Sequence, residues 1–308
     1  TRRLAMLELL LQPFEYNYMV KAIWVSALVG AVCAFLSSYL ILKGWSLMGD
    51  ALSHSVVPGV AGAYILGLPY AVGAFFTGLL AALSMTFIRH ITRLREDAVI
   101  GFIFSTFFAF GLLLVSLNPT AVNVQTIILG NILGIADEDV WQVVIITGVS
   151  FLILFCMWKD LLVVFFDEVH ARSIGLSPLK LKIIFFTLLS ACTVAALQTV
   201  GAILVIAMVV TPGATAYLLT DQFKRLAIIA ICIGTVTSAV GAYLSYFFNG
   251  ATGGVIVTMQ TALFLLAFLF APKHGMLAAR RRARQSSQAL ISQSQHPKDV
   301  TQQEEVQL

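Results

Sequence analysis

"YMVKAIWVSALVGAVCAFLSSYLIL", residues 18–42, decides the fold. Lys21 is its only charge, and at about 1.5 Å per residue the run is long enough to cross a hydrocarbon core of about 30 Å as one helix. Similar runs recur along almost the whole chain, which is 59% hydrophobic and 11% charged, with a mean hydropathy of +0.92. This composition excludes an ordinary soluble domain. A membrane barrel would need segments of about 10 residues with strict apolar/polar alternation, and none is present. The fold class is therefore all-α, a polytopic membrane protein.

About nine spans are expected, at 18–42, 46–66, 70–92, 97–117, 139–158, 178–198, 201–219, 224–248 and 253–271. Cytoplasmic loops near span ends retain positive charge, and this sets the orientation. With the Arg89, Arg93, Arg95 loop inside, only Arg2, Arg3 and Lys21 of the 19 Lys and Arg fall outside. The N-terminus is then outside and the C-terminus cytoplasmic. Cys33, Cys156, Cys192 and Cys232 all fall inside spans without a CxxC pair and read as small apolar packing residues.

Three regions follow. Residues 1–17 form an aromatic interfacial segment, in which Thr1 to Ala5 precede Met6 and read as an alternative start or an appended remnant. Leu7 to Leu11 is too short and lacks the small-residue site of a cleavable signal. Residues 18–275 form the membrane domain. Residues 276–308 are rich in Gln, Ser, Arg and Lys and are expected to be a disordered cytoplasmic tail, its "RRRAR" start anchoring at lipid headgroups rather than binding nucleic acid.

Most cations of the spans lie within a turn or two of an end, where long side chains reach the headgroups. "GDALSHSVVPG", residues 49–59, is different. Asp50 and His54 stand roughly 6 and 12 Å above the inner start of the second span, and Asp50 is the carboxylate placed well inside one. Such a group costs at least about 2.5 kcal/mol on insertion scales, so it faces a cavity, a partner or a substrate path. At spacing i,i+4 the two Cβ atoms are about 6 Å apart, and a carboxylate oxygen and an imidazole nitrogen can converge on one point. That ligand pair suits a divalent first-row metal ion. The same spacing equally allows a hydrogen-bonded couple that only specifies packing. Neighbouring Gly and Ala residues permit close helix approach, Ser53 and Ser55 add polar groups beside the pair, and Pro58 can kink the span.

"KDLLVVFFDEVHARSIGLSPLKLK", residues 159–182, is a long cytoplasmic segment. Asp167 and Glu168 open a short helical pattern that Gly175 closes, with Pro178 starting the next span. A short helix across the cytoplasmic face is expected, either an ordinary interfacial helix or a docking element. In "VVTPGATAY", residues 209–217, Pro212 and Gly213 interrupt a span; such breaks line cavities or are simple kinks. Ser53, Pro58, Gln198, Pro212 and Gln260 are candidate path-lining residues. Asp137, Glu138 and Asp139 form an acidic extracytoplasmic cluster that reads first as a solvated loop.

The chain carries no GxSxG, HExxH or GxxxxGK[ST] motif, so it does not hydrolyse ATP through a phosphate loop of its own. "GDALSHSVVPGVAGAYILG" (49–67), "ARSIGL" (171–176) and "LVIAMVVTPGATAYLL" (204–219), in that order, resemble the integral membrane permease of ABC importers for manganese, iron and zinc, over residues 7–275. The resemblance implies a non-enzymatic subunit of a bacterial inner membrane. It implies a second permease chain, identical or related, with the ion path near their interface, two cytoplasmic ATPase subunits and an extracytoplasmic metal-binding protein. Asp50 and His54 match the family's intramembrane metal ligands. The helix at about 167–176, with Asp167, Glu168, Ala171 and Gly175, matches the ATPase-docking helix. "DALSHSVVPG" looks more like the manganese/iron branch than the zinc branch. The transported ion is the only metal implied, with no permanently bound cofactor. The competing readings are a zinc importer and a self-contained secondary transporter or channel.

Overall fold

The computed structural model describes residues 11–92, 94–117, 137–271 and 275–276. Residues 1–10 and 277–308, which hold most of the two expected terminal segments at 1–17 and 276–308, lie outside them. The described residues are helical, without a strand. After a 3-10 turn at Gln12–Glu15 come α1 (Asn17–Lys43), α2 (Leu47–Ser55), α3 (Val57–Leu66), α4 (Tyr70–Ile91), α5 (Glu96–Leu117), α6 (Asp137–Phe166), α7 (Glu168–Ser173), α8 (Pro178–Val200), α9 (Ala202–Leu219), α10 (Phe223–Phe248) and α11 (Thr252–Phe270).

Seven of these helices are long and apolar enough to cross a membrane, and Leu204–Leu219 within α9 is a shorter apolar helix. The expected span at 46–66 is two helices rather than one. Pro58 has no N–H to return to the His54 carbonyl four residues back, and the ladder breaks at Val56, whose amide turns to that carbonyl instead. The fifth span also differs: α6 continues through Phe166, so part of the expected loop is helix.

In α1, 72% of the most apolar window is buried, against 22% in α5 and α6. The first span is thus the hub, with α6, α8, α9 and α10 packed around it. The second group, α2 to α5, joins through α8 and α9. On α6, Trp141, Ile145, Val149, Leu152 and Phe155 are exposed at helical spacing, an apolar stripe suited to lipid. Cys33 and Cys192 are buried packing residues as expected, whereas Cys156 and Cys232 are exposed.

Small residues set the closest crossings. A Cβ at Gly59 would lie 2.1 Å from the Gly73 carbonyl oxygen, and one at Gly111 would lie 2.8 Å from the Pro58 nitrogen. Glycine is therefore required where α3 meets α4 and α5. At the far end of α1, Tyr39 donates to the Trp158 carbonyl at 3.0 Å, and Lys43 donates to the Phe165 carbonyl at 3.1 Å. The latter places a cation on the negative end of α6.

Candidate metal centre

Asp50 stands in the first turn of α2 and His54 in its last. One helical turn brings His54 Nε2 to 3.3 Å from Asp50 Oδ1. Met48, Gly49, Ala51, Leu52, Ser53 and Ser55 are buried in the chain, whereas the His54 and Asp50 side chains are 33% and 43% exposed. Leu47, Asp50, His54 and Val57 thus form the open stripe of the broken span. The pair does not point into the interior of this chain. Gly49 explains the opposite face: a Cβ there would lie 3.1 Å from Val209 Cγ1, so α2 sits close on α9.

Ser53 and Ser55 turn away from the pair. They donate to the carbonyls of Gly49 at 2.8 Å and Ala51 at 2.6 Å, both inside the chain. Pro58 is buried in the first turn of α3. Pro212 is buried in α9, where Ser37 Oγ donates to the Val210 carbonyl at 3.1 Å and accepts from the Gly213 amide at 3.0 Å. One hydroxyl of α1 therefore bonds the turn around Pro212, and α9 is not interrupted there as expected but runs unbroken through the proline. Gln260 is buried in α11 and donates through Nε2 to Thr237 Oγ1 at 3.1 Å. Gln198 lies in α8, but its side chain is outside those described. Ser53, Pro58, Pro212 and Gln260 are thus not on the Asp50/His54 stripe.

Two residues with no motif complete the surroundings. Phe104 and Phe108 of α5 present edge contacts to the His54 ring at centroid distances of 5.5 and 5.4 Å. They stack on each other at 5.9 Å and hold the imidazole from one side. Among the described residues no group of three or more His, Cys, Asp and Glu gathers as a metal site. A first-row ion requires about four or more ligands, and Asp50 and His54 are two side chains capable of ligation.

At the short helix expected near 167–176, Asp167 caps α7, accepting from the amides of Val169 at 2.8 Å and His170 at 3.0 Å. Those two amide bonds, His170 first, hold its carboxyl below the usual range. Glu168 follows and ion-pairs with Lys182 of α8. Burial pushes its carboxyl up, but the Lys182 bond and the charges of Lys182, Lys43 and Arg89 outweigh burial and leave it lowered. Gly175 adopts φ +86°. Its amide bonds the Arg172 carbonyl at 3.1 Å while the Leu176 amide bonds Ala171 at 3.0 Å, the paired closure that a left-handed residue allows. Ala171 faces inward, fully buried, whereas Val169 is 79% and Ile174 54% exposed.

A model of the ABC 3 transport family matches residues 15–271. The chain belongs to the ABC 3 transport family. Over 279 residues, 91% of this chain and 95% of the relative, this ABC 3 chain is 82% identical to the chelated iron transport system membrane protein YfeC of Yersinia pestis. It is 47% identical to the manganese transport system membrane protein MntB of Synechocystis, over 89% of this chain and 90% of the relative. Its fold matches PsaBC of Streptococcus pneumoniae, solved in complex with Fab, at a TM-score of 0.76 and 35% identity, covering 88% of this chain and 97% of that one. The ABC 3 chain is thus a membrane permease subunit of an ABC transporter, as the three motifs imply.

Proposed function

We propose that this chain is the permease of an ATP-driven importer of manganese(II) or iron(II), and that Asp50 and His54 are its half of an intramembrane metal site. The observation that carries the reading is the open stripe of α2. An acid 43% exposed on an apolar span is costly against lipid, at about 2.5–3.5 kcal/mol on insertion scales. Covering by a second permease chain, identical or related, removes that cost. Two facing stripes would supply two carboxylates and two imidazoles, and with them the ligand number that one chain lacks. The relatives named for chelated iron and manganese transport support the choice of ion.

The topology that accompanies this reading has the N-terminus outside, the C-terminus cytoplasmic and nine crossings, with α2 and α3 together forming the second. α7 then lies on the cytoplasmic face. Its outward Val169 and Ile174 offer apolar contacts to an ATPase subunit, and the Glu168–Lys182 pair transmits movement of α7 to α8. Closing of the ATPase subunits would separate the two half-sites and release the ion inward. An extracytoplasmic binding protein delivers it, in a bacterial inner membrane. Cells expressing the complete set of subunits are tested for uptake of manganese, iron and zinc. Loss of manganese and iron uptake in Asp50→Ala and His54→Ala, with ATPase assembly retained, supports the site; unchanged uptake in either variant refutes it.

A further inference from the structure

Ser37 of α1 holds two groups of α9 at once, the Val210 carbonyl at 3.1 Å and the Gly213 amide at 3.0 Å. Pro212 has no N–H to give the Met208 carbonyl four residues back, so the ladder of α9 lacks a rung beside the place where Ser37 binds. A proline and an inserted side chain are both causes of a change in helix direction. The Ser37 hydroxyl therefore sets the path that α9 takes past Val209 and Val210. Those two residues also seat α2. A Cβ at Gly49 would lie 3.1 Å from Val209 Cγ1, 3.4 Å from Val209 Cβ and 3.8 Å from Val210 Cγ2. Ser46, at the cap position of α2, makes no side-chain capping bond, which leaves packing to place this first turn. Asp50 follows Gly49 directly. His54 is held differently, by the edges of Phe104 and Phe108 from α5. The two members of the pair thus take their positions from different helices, Asp50 from α9 and His54 from α5.

We propose that Ser37 is a positioning residue for the metal half-site: it fixes α9 at Val209 and Val210, and through their contact with Gly49 it fixes the Asp50 carboxylate without touching it. The proposal deepens the reading of Asp50 and His54 as ligands and rests on it. Metal–ligand distances tolerate only about 0.2 Å, so a displacement of a few tenths of an ångström where α9 meets Gly49 is felt at the ion. Loss of the Ser37 hydroxyl acts on the carboxylate alone, because the imidazole keeps its two phenylalanines.

The test is manganese(II) binding to the intact importer, permease with its ATPase, in lipid nanodiscs, followed by titration and by EPR of the bound ion. Ser37→Ala should weaken binding about 3- to 10-fold and change the zero-field splitting, which follows the carboxylate geometry, while the imidazole nitrogen coupling seen by pulsed EPR persists. Gly49→Ala, which pushes at the same contact from α2, should have the same signature, and the double variant should lose less than the product of the two single losses. Tyr39→Phe removes a hydrogen bond of 3.0 Å from the same helix to the Trp158 carbonyl of α6, and should leave binding and spectrum unchanged. Co-purification of the ATPase with normal basal hydrolysis certifies each variant as folded; if Ser37→Ala fails that check, Ser37→Cys, which keeps the volume and weakens both bonds, decides. Unchanged affinity and spectrum in a folded Ser37 variant overturn the proposal. So does an equal effect of Tyr39→Phe, which would mean general loosening of α1, or loss of the imidazole coupling together with the carboxylate change. Failure of the ligand reading appears separately, as absence of imidazole coupling in the parent importer, and takes the proposal with it.

Discussion

Replacing Gly213 with alanine perturbs the contact on which the Pro212 turn depends. A Cβ there would lie 2.4 Å from Ser37 Oγ, 2.7 Å from the Ser37 carbonyl oxygen and 2.8 Å from its carbonyl carbon. The hydroxyl can rotate away, but the backbone of α1 cannot, so α1 and α9 must separate by several tenths of an ångström or more. Separation weakens both Ser37 bonds, at 3.0 and 3.1 Å. Interhelical hydrogen bonds in membranes contribute about 0.6 kcal/mol each, and overpacking costs about 1–3 kcal/mol. The sum is a loss of about 2–4 kcal/mol for Gly213→Ala. Ser37→Ala leaves the Gly213 amide without its partner and costs about 1 kcal/mol. Equilibrium unfolding in mixed micelles, followed by tryptophan fluorescence, measures both. Adding Ser37→Ala to Gly213→Ala should give only partial relief, because the carbonyl clash remains. A Gly213→Ala protein within about 0.5 kcal/mol of the parent, or full rescue by Ser37→Ala, refutes the reasoning.

Gly175→Ala should weaken coupling of ATP hydrolysis to transport through backbone strain alone, since a Cβ there meets nothing within 4 Å; the left-handed conformation costs about 1–2 kcal/mol. Gly175→Asn should be milder, and equal coupled rates in Ala and Asn variants would remove the backbone explanation. Asp167 and Glu168 both have carboxyls lowered from their ordinary values of 3.8 and 4.5. Lowered groups stabilise the fold above those ordinary values and cease to do so as pH falls through the lower folded ones. ATPase retention by the permease should therefore be flat from about pH 7 to 5 and decline below about 4, with the decline reduced in Asp167→Asn/Glu168→Gln; a loss centred near pH 6 contradicts it. Phe108→Ala should weaken manganese binding about 2- to 10-fold by freeing the His54 ring. An affinity unchanged in that variant would show that the two phenylalanines do not position the imidazole.

Features with a short range were legible in the sequence. The Asp50–His54 contact follows from one helical turn, and the limits of α7 follow from Asp167 and Gly175, whose bonds reach no further than five residues. Hydropathy located the helices because a membrane crossing needs a fixed length of apolar chain. Long-range geometry was not legible. Pro58 signalled a kink, but not that Gly111 and Gly73 let α5 and α4 close on α3 beside it. Ser53 and Ser55 looked like neighbours of the pair because they are adjacent in sequence; a helix turns them inward, where they bond carbonyls four residues back. Phe104 and Phe108 lie in "FIFSTFF", which carries no motif, and their contacts with His54 arise only from the packing of α5 on α2. The openness of the Asp50 face was likewise hidden, because depth along a span says nothing of which side a residue takes.

The central claim is that Asp50 and His54 are half of a site completed by a second permease chain. Equilibrium manganese(II) binding to the purified importer, with the permease chains counted, tests it most directly. The account predicts one intramembrane ion per pair of permease chains, lost in Asp50→Ala and in His54→Ala while the pair and its ATPase stay assembled. One ion per single chain, or an ion held with unchanged affinity by either variant, contradicts it.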